Sequence, residues 1–246
     1  MTTHKTKGIV LRTVKYGETS VIATLYTELF GLQSYLVNGV RSTGRQGGNR
    51  AGLFQPAAIL ELVVYHNDLK NLQRMREYRW GVLYEHLYFD VWKNAVAVFM
   101  IELLQKTIRQ PEPHPDLFAF IEDSLLHLDA AAPEILGNYP LFFALHLASF
   151  FGLKMSDNWS PNRSILDLRE GAFVAEPPEH AFTLREQTSY LTSQLLKAQH
   201  PAELSEIRMN REIRKVLLRA YESFYALHLP EFGSLKTLPV LWEILQ

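Results

Sequence analysis

Residues 1–80 alternate apolar and polar positions with the period of two that β-strands show. Between residues 7 and 41, short breaks at residues 16–18 and 30–31 separate three runs rich in Val, Ile, Leu, Thr and Tyr. β-Branched and aromatic residues suit a pleated, half-buried surface, and glycine supplies the turn geometry between the runs. The pattern predicts three antiparallel strands in a meander.

Two further strands complete this region. Residues 57–66 predict a fourth strand, which follows Pro56 at a position where proline is tolerated. A turn at Asn67-Asp68 precedes a fifth strand within residues 69–79. Five strands in about eighty residues, closed into a small barrel, indicate an OB-fold. An SH3-like barrel remains an alternative on strand count alone.

From Trp80 onward the apolar residues recur at helical spacing and glycine becomes rare. The predicted helices cover residues 84–91, 96–104, 116–128 with Asp116 as the cap, 141–151, 184–198, 209–229 and 238–245. The apolar stripe predicted for the helix 209–229 consists of Ile213, Val216, Leu217, Ala220, Phe224 and Leu227.

Residues 153–182 interrupt the helical pattern, and residues 165–174 predict a hairpin that turns at Glu170-Gly171. The whole pattern predicts an α+β fold. An N-terminal five-stranded OB-fold barrel, residues 1–80, is followed by an all-helical domain, residues 81–246, with a small hairpin insertion.

Charge is distributed unevenly, although the formal net charge is −1. Residues 1–80 hold eleven Lys and Arg against five Asp and Glu, whereas the rest of the chain holds fourteen against twenty-one. Such asymmetry indicates an N-terminal module that binds anions. Chance clustering on solvated strands is the alternative.

The basic residues predicted to contact DNA phosphates lie at the first turn, in a glycine-rich loop after the third strand, and near the fifth strand. They are Arg12, Lys15, Arg41, Arg45, Arg50, Lys70, Arg74 and Arg76. The loop is not a P-loop, since no Gly-Lys-Ser/Thr ending follows, and a plain strand connector is its alternative interpretation. Tyr16, Tyr26 and Tyr35 either stack on bases or fill the barrel.

A possible second basic face lies on the long helix near the C-terminus. Within an arc of about 80°, at 100° per residue, the sequence places Arg208, Arg211, Lys215 and Arg219. A second DNA contact or a dock for an acidic peptide is one interpretation. Because Glu212 and Glu222 share the arc at pairing spacing, an ordinary ion-paired, solvated face is favoured.

Composition argues against several other classes of protein. Cysteine is absent, which excludes disulfides and cysteine-type zinc sites. The nine histidines show no metal-ligand spacing, and His146 and His228 lie in apolar helical contexts that favour packing roles. No Gly-x-Ser-x-Gly elbow occurs. We expect no metal, no cofactor, no enzymatic activity, no membrane span and no export signal.

Several segments, taken in order along the chain, resemble the RecO family of bacterial recombination mediators. They are Gly8-Ile9-Val10-Leu11-Arg12, Tyr16-Gly17-Glu18-Thr19-Ser20, Thr24-Leu25-Tyr26-Thr27, Gly31-Leu32, Val40-Arg41, Leu53-Phe54-Gln55-Pro56 and residues 225–238. With the helical middle, the resemblance spans nearly the whole chain.

The resemblance implies an N-terminal OB-fold and a C-terminal helical domain. It further implies binding of single- and double-stranded DNA, annealing of complementary strands, partnership with RecR, and contact with the C-terminal tail of single-strand-binding protein, which helps RecA load onto coated DNA. Many members carry a four-cysteine zinc element, but the matching stretch here, at about residues 152–177, has no cysteine. We therefore expect a zinc-free hairpin held by Leu166, Leu168, Phe173 and Val174.

The sequence thus predicts a non-enzymatic mediator of DNA repair and homologous recombination in the cytoplasm, associated with the nucleoid. The alternative is a helical protein-interaction adaptor with only weak DNA binding.

Overall fold

In the computed structural model of the chain, five strands close into a barrel in the order β1-β2-β3-β5-β4. The strands are β1 (Thr3–Tyr16), β2 (Ser20–Thr27), β3 (Gly31–Val37), β4 (Ile59–Tyr65) and β5 (Leu72–Trp80). β3 and β5 pair in parallel, and the other neighbours pair antiparallel. The predicted OB-fold barrel is confirmed, with each strand close to its predicted position.

The structure describes residues 2–41 and 50–244, and the side chains at positions 50 and 51 lie outside that part. The described residues form two units. One contains the chain as far as Glu85 together with Ile108–Leu126, and the other contains His86–Thr107 and the chain from His127 onward.

Alternate residues of the strands fill the barrel, as the period of two requires. The buried cluster includes Val10, Val21, Ala23, Leu25, Tyr35, Val37, Leu60, Leu62 and Val64. Between Val10 and Arg12 the register of β1 shifts, so Leu11 is an extra residue and is itself buried. After this shift the side chain of Arg12 lies on the outside of the barrel, opposite Thr24.

Seven α-helices follow within the described residues. They are α1 (Val91–Thr107), α2 (Pro115–Ala130), α3 (Pro133–Leu136), α4 (Tyr139–Ser149), α5 (Glu186–Lys197), α6 (Arg211–His228) and α7 (Leu238–Ile244). Short 3₁₀ turns occupy Arg50–Phe54 and Pro201–Ser205. The change from strands to helices near residue 80 is confirmed.

The prediction of a helix over residues 84–91 is wrong, because this segment is irregular. The Asp129 carboxylate accepts hydrogen bonds from the backbone N–H groups of His86 and Leu87, at 2.8 and 2.6 Å. Asp90 then caps α1 by accepting from the N–H of Trp92 at 2.8 Å. These hydrogen bonds satisfy the backbone without a helix, and Tyr84 and Leu87 are buried in the irregular segment, whereas Val91 is exposed.

The predicted cap of α2 is also wrong, because Asp116 lies inside the first turn. The ring Nδ1 of His114 accepts the hydrogen bond from the N–H of Leu117, at 3.2 Å. An imidazole thus caps the N-terminus of this helix, a role that a short polar side chain usually has.

α6 buries only part of the predicted stripe, because Leu217 and Phe224 are buried as predicted but the centre of the buried face is shifted. Val216 and Leu227 are exposed, at 48% and 36%. The buried residues are Leu217, Leu218, Tyr221, Phe224 and Tyr225. The two buried tyrosines of this face have partners for their hydroxyls. The Tyr221 and Thr192 hydroxyls lie 2.9 Å apart, and the Tyr225 hydroxyl donates to the Ala144 carbonyl at 2.7 Å.

The predicted hairpin is present as β6 (Ile165–Asp167) and β7 (Ala172–Val174), and it turns through Gly171 at a φ of 62°. A two-residue strand that the sequence did not predict, β8 (Thr183–Leu184), pairs with β6 and makes a three-stranded sheet. Leu166, Leu168 and Phe173 are buried as predicted, whereas Val174 is half-buried.

Candidate nucleic-acid interface

One end of the outer face of β1, β2 and β3 is covered by α2. Ile9 pairs with Tyr26, and both side chains are buried. The Tyr26 ring stacks on Phe118 of α2 at a centroid distance of 6.2 Å, and its hydroxyl donates to the His114 carbonyl at 3.5 Å. Lys7 Nζ lies 2.8 Å from a carboxylate oxygen of Glu122 at the same end.

The other end of this outer face is open. Directly paired residues of neighbouring strands point to the same side of a sheet, so the register defines two outward rows. The first row is Arg12, Thr24, Ser34 and Leu72. The second row is Val14, Ile22, Leu36 and Arg74. We call these two rows the open outer face.

Arg12 and Arg74 are the cations of the open outer face. Both are exposed, and they lie on β1 and β5, three strand spacings apart, which corresponds to about 14 Å along the sheet. The described segments that build the face, residues 12–16, 20–24, 34–38 and 72–74, contain no acidic residue. Positive potential on this face is therefore not cancelled within the strands.

Lys15 and Arg41 lie at the end of the open outer face where β1 turns into β2. Lys15 pairs with Val21, whose side chain is buried in the barrel, so Lys15 is on the inward row of β1, but it lies beside the turn at the barrel end and is exposed. The backbone N–H of Arg41 donates to the Thr19 carbonyl in the turn, at 3.0 Å, and this hydrogen bond fixes the start of the glycine-rich loop there. The structure thus brings together two basic residues that are far apart in sequence.

Lys70 lies at the opposite corner, in the turn between β4 and β5, and is exposed. Within the described part of the chain, ion pairs involve none of Arg12, Lys15, Arg41, Lys70 and Arg74. Loops at these two corners of an OB-fold flank the surface on which such folds bind oligonucleotides.

Arg76 lies away from the open outer face, at an irregularity in the pairing of β5 with β4. Its Nε lies 3.2 Å from a carboxylate oxygen of Glu77. The neighbouring Arg79 is paired with Glu61. A cavity of about 820 Å³ in this region is lined by both signs of charge, with Lys5, Lys7, Arg76 and Arg79 beside Glu28, Glu61 and Glu77. Three of these four bases, Lys7, Arg76 and Arg79, have an acidic partner.

Two predicted contacts fall outside the part of the chain that the structure describes. Arg45 lies in residues 42–49, and the side chain of Arg50 is also outside it, although the backbone of Arg50 begins a 3₁₀ turn. Both remain predictions from sequence.

The three tyrosines of the barrel have different positions. Tyr35 is fully buried inside the barrel, and Tyr26 is buried under α2. Burial raises the pKa of Tyr26 to about 12 and that of Tyr35 further still. Tyr16 is 53% exposed beside the turn between β1 and β2. Of the three, Tyr16 alone is available to stack on a base.

The basic residues near the C-terminus do not form a free face. Arg208 precedes α6, so its predicted place on the helical arc is wrong. Arg211 donates to the Trp242 carbonyl, and the Arg219 guanidinium lies 4.4 Å from the centroid of the Trp242 ring. Lys215 pairs with Glu212 at 3.2 Å. Within the described residues, the predicted pairs Arg208–Glu212 and Arg219–Glu222 do not form.

The sequence interpretation missed the hydroxyl pair at the middle of the open outer face. Thr24 Oγ1 and Ser34 Oγ lie 3.2 Å apart, between the two arginines. The alternation of β2 already carried this signal, because Ala23 and Leu25 face inward and Thr24 must therefore face outward. These hydroxyls can donate to phosphate oxygens.

In the described part of the chain, no group of three or more His, Asp or Glu side chains could hold a metal ion. No described helix is long and apolar enough to cross a membrane.

Sequence comparison places this chain among known relatives. A family model described as "Recombination protein O N terminal" matches residues 1–80, and one described as "Recombination protein O C terminal" matches residues 88–239. Proteins named "DNA repair protein RecO" from Phocaeicola vulgatus and Bacteroides fragilis are each 32% identical over 241 residues. The protein of the same name from Flavobacterium johnsoniae is 30% identical over 245 residues. Each alignment covers 98% of this chain and 98% of the relative.

Proposed function

The chain belongs to the RecO family of DNA repair proteins, and on this premise we propose that it binds single- and double-stranded DNA through the open outer face of its barrel. Residues 1–80 are the DNA-binding domain in this proposal, and residues 81–246 are the helical domain. The protein acts in homologous recombination as a cytoplasmic, nucleoid-associated mediator and catalyses no reaction itself.

One observation carries the proposal. The cations of the open outer face and its two corners, Arg12, Lys15, Arg41, Lys70 and Arg74, are exposed and lack ion pairs among the described residues. On other parts of the barrel, Lys7, Arg76 and Arg79 have acidic partners. Cations without protein partners are free to displace counterions from phosphates, which is the main source of affinity for nucleic acid.

Annealing follows from the same surface. Two complementary strands repel each other through their phosphates, and a surface that neutralises both lowers this repulsion. RecR, single-strand-binding protein and RecA are the protein partners in this proposal. Together with RecR, the chain helps RecA load onto DNA that is coated with single-strand-binding protein, whose C-terminal tail it contacts.

A second candidate function is a helical protein-interaction adaptor with only weak DNA binding. It is favoured by an apolar groove of about 300 Å³ in the second unit, lined in part by Phe89, Val91 and Val240. These side chains are 83%, 65% and 50% exposed. Exposed apolar residues that adjoin one another are typical of protein contact sites.

The proposal is tested by titrating a fluorescent single-stranded oligonucleotide at a series of salt concentrations. The variant with both Arg12→Ala and Arg74→Ala should bind about a hundredfold more weakly, since each charged contact is worth about 1.5 kcal/mol. The slope of log affinity against log salt should flatten by about 1.4, at 0.7 for each phosphate contact on a single strand.

The matched control carries Arg76→Ala and Arg79→Ala, which also remove two exposed arginines from the barrel. Because Glu77 and Glu61 already pair with these arginines, affinity and salt slope should change little. Absence of salt-dependent binding in the wild-type protein would contradict the proposal and favour the adaptor function.

A further inference from the structure

Leu69 is the most exposed large apolar side chain among the described residues, at 94%. It lies at the tip of the turn between β4 and β5, where polar residues are usual. Singly exposed apolar side chains are normal on protein surfaces and do not by themselves indicate a binding site. The backbone here is held tightly, so this exposure is imposed by the fold.

Hydrogen bonds close the turn on both sides of Leu69. The N–H of Lys70 donates to the Asn67 carbonyl at 3.0 Å, and the N–H of Leu69 donates to Asn67 Oδ1 at 2.9 Å. Gln73, which is only 3% exposed, braces the turn from inside. Its Nε2 donates to the carbonyls of Asn67 and Lys70 at 2.8 and 2.6 Å, and its Oε1 accepts from the Asn67 N–H at 3.1 Å.

A second anchor holds the base of the turn. The His66 ring stacks on Phe30 at a centroid distance of 3.9 Å and contacts Asp68 Oδ1 through its Nε2 at 2.8 Å. A buried amide and a stacked imidazole therefore fix a turn whose tip presents an apolar side chain to water. The Leu69 side chain is thus held in solvent at a fixed position, where it can contact another molecule.

The surroundings of Leu69 define the chemistry of that molecule. Lys70 follows it directly in the turn, and Leu72 and Arg74 lie farther along the chain, in β5 on the open outer face. The two cations have no ion pair among the described residues. A ligand that fits must place anions beside Lys70 and Arg74 and an apolar surface beside Leu69. A single polynucleotide strand has both, since its unstacked bases expose their faces, whereas a duplex buries them.

We propose that Leu69 packs against an unstacked base of single-stranded DNA while Lys70 and Arg74 contact the flanking phosphates. The inference rests on the proposed DNA-binding function and deepens it. The braced turn makes the barrel prefer single strands, because duplex ends offer Leu69 at most one base face.

The test is the variant Leu69→Ser, titrated by anisotropy with a single-stranded oligonucleotide and with a duplex of the same sequence. Single-strand affinity should fall about tenfold, as expected for loss of a buried leucine contact. The salt slope should stay the same, because no charge is removed. Duplex affinity should also stay the same.

A direct readout uses 2-aminopurine, a base whose fluorescence rises when it is unstacked from its neighbours. A single strand that contains it should brighten with the wild-type protein and less so with Leu69→Ser. The control is Leu83→Ser, which removes another highly exposed leucine, 74% exposed, outside the open outer face. This control should behave like wild type, and the thermal midpoints of all three proteins should agree.

The outcomes separate the two proposals. If the wild-type protein binds single strands with the expected salt dependence but Leu69→Ser binds equally well, the base contact is wrong and the proposed function stands. An equal loss on duplex, or a flattened salt slope in Leu69→Ser, would also overturn the base contact. If the wild-type protein does not bind DNA, the proposed function itself fails.

Discussion

The two ends of the outer face of β1, β2 and β3 are built from one sheet and have opposite roles. At the covered end, Ile9 and Tyr26 are buried against α2. At the open end, Arg12 and Tyr16 occupy the same strand and are exposed. The strand sequences alone do not distinguish the two ends, because inward and outward residues alternate at both ends. A helix 90 residues farther along the chain makes one end core and leaves the other as surface.

The basic residues of the barrel show the same contrast. Lys7 and Arg79 each have an acidic partner, whereas Arg12 and Arg74 have none within the described residues. A cation that pairs inside the protein contributes to stability and little to ligand binding, and an unpaired cation does the reverse. Counting bases in the sequence therefore overestimates the binding surface.

The strongest way to test the contrast is to truncate one tyrosine at each end. Tyr26→Ala should lower the free energy of unfolding by about 3–5 kcal/mol, because it removes a large aromatic side chain from a closed site. Tyr16→Ala should leave stability nearly unchanged and weaken binding of a single strand by about 1 kcal/mol, through loss of base stacking. Urea unfolding and oligonucleotide anisotropy measure the two effects. Similar stability losses in both variants would remove the distinction between the ends.

The turn between β2 and β3 offers the next largest effect. Gly31 has a φ of 60°, and a Cβ atom there would overlap the backbone carbonyls of Pro111 and Glu112. Gly31→Ala should therefore destabilise the protein by about 2–3 kcal/mol, from left-handed backbone strain plus the overlap. Gly17 has a φ of 61° but open space around it. Gly17→Ala should be destabilised only by the backbone strain, by about 1 kcal/mol.

Thermal or urea unfolding of both glycine variants checks this difference. Equal losses of stability would mean that the segment around Pro111 moves aside at little energetic cost. The close packing at the covered end would then contribute little to the free energy of unfolding.

The smallest effect concerns the ion pair between Lys7 and Glu122. The hydrogen bond to Glu122 raises the pKa of Lys7 above its usual 10.5. A group with a raised pKa in the folded state stabilises the fold below its unfolded pKa, and this contribution disappears as pH rises through the folded pKa. Because Lys7 is 45% exposed, Glu122→Gln should lose at most about 1 kcal/mol at neutral pH.

Urea unfolding from neutral pH to beyond 10.5 compares Glu122→Gln with wild type. The gap between the two proteins should close at the alkaline end. A gap that persists there would assign the loss to packing of Glu122 rather than to its charge.

Much of the fold follows from local pattern. The five strands and the helices α4 to α7 lie near their predicted positions because alternation with periods of 2 and 3.6 reports burial directly. The hairpin at Gly171 follows because a left-handed turn residue stands between two apolar runs. The family resemblance that the segments of the barrel suggested is confirmed over both domains.

The predictions that failed depend on partners distant in sequence. Residues 84–91 have helical spacing, but the Asp129 carboxylate binds their backbone and replaces the helix. The buried face of α6 is shifted from the prediction to include Tyr221 and Tyr225, whose hydroxyls pair with the Thr192 hydroxyl of α5 and the Ala144 carbonyl of α4. Arg211 and Arg219 both contact Trp242, which the sequence did not predict.

The sequence by itself determined the periods, the turns and the excess of positive charge in the first eighty residues, since each depends on residues close together in the chain. Tertiary structure alone decided which face of the barrel α2 covers and which cations remain without acidic partners. It also decided that Tyr16 and Leu69 are exposed whereas Tyr26 and Tyr35 are buried. The reason is physical, because burial and ion pairing are set by neighbours in space, and such neighbours can be far apart along the chain, as Lys7 and Glu122 are at a separation of 115 residues.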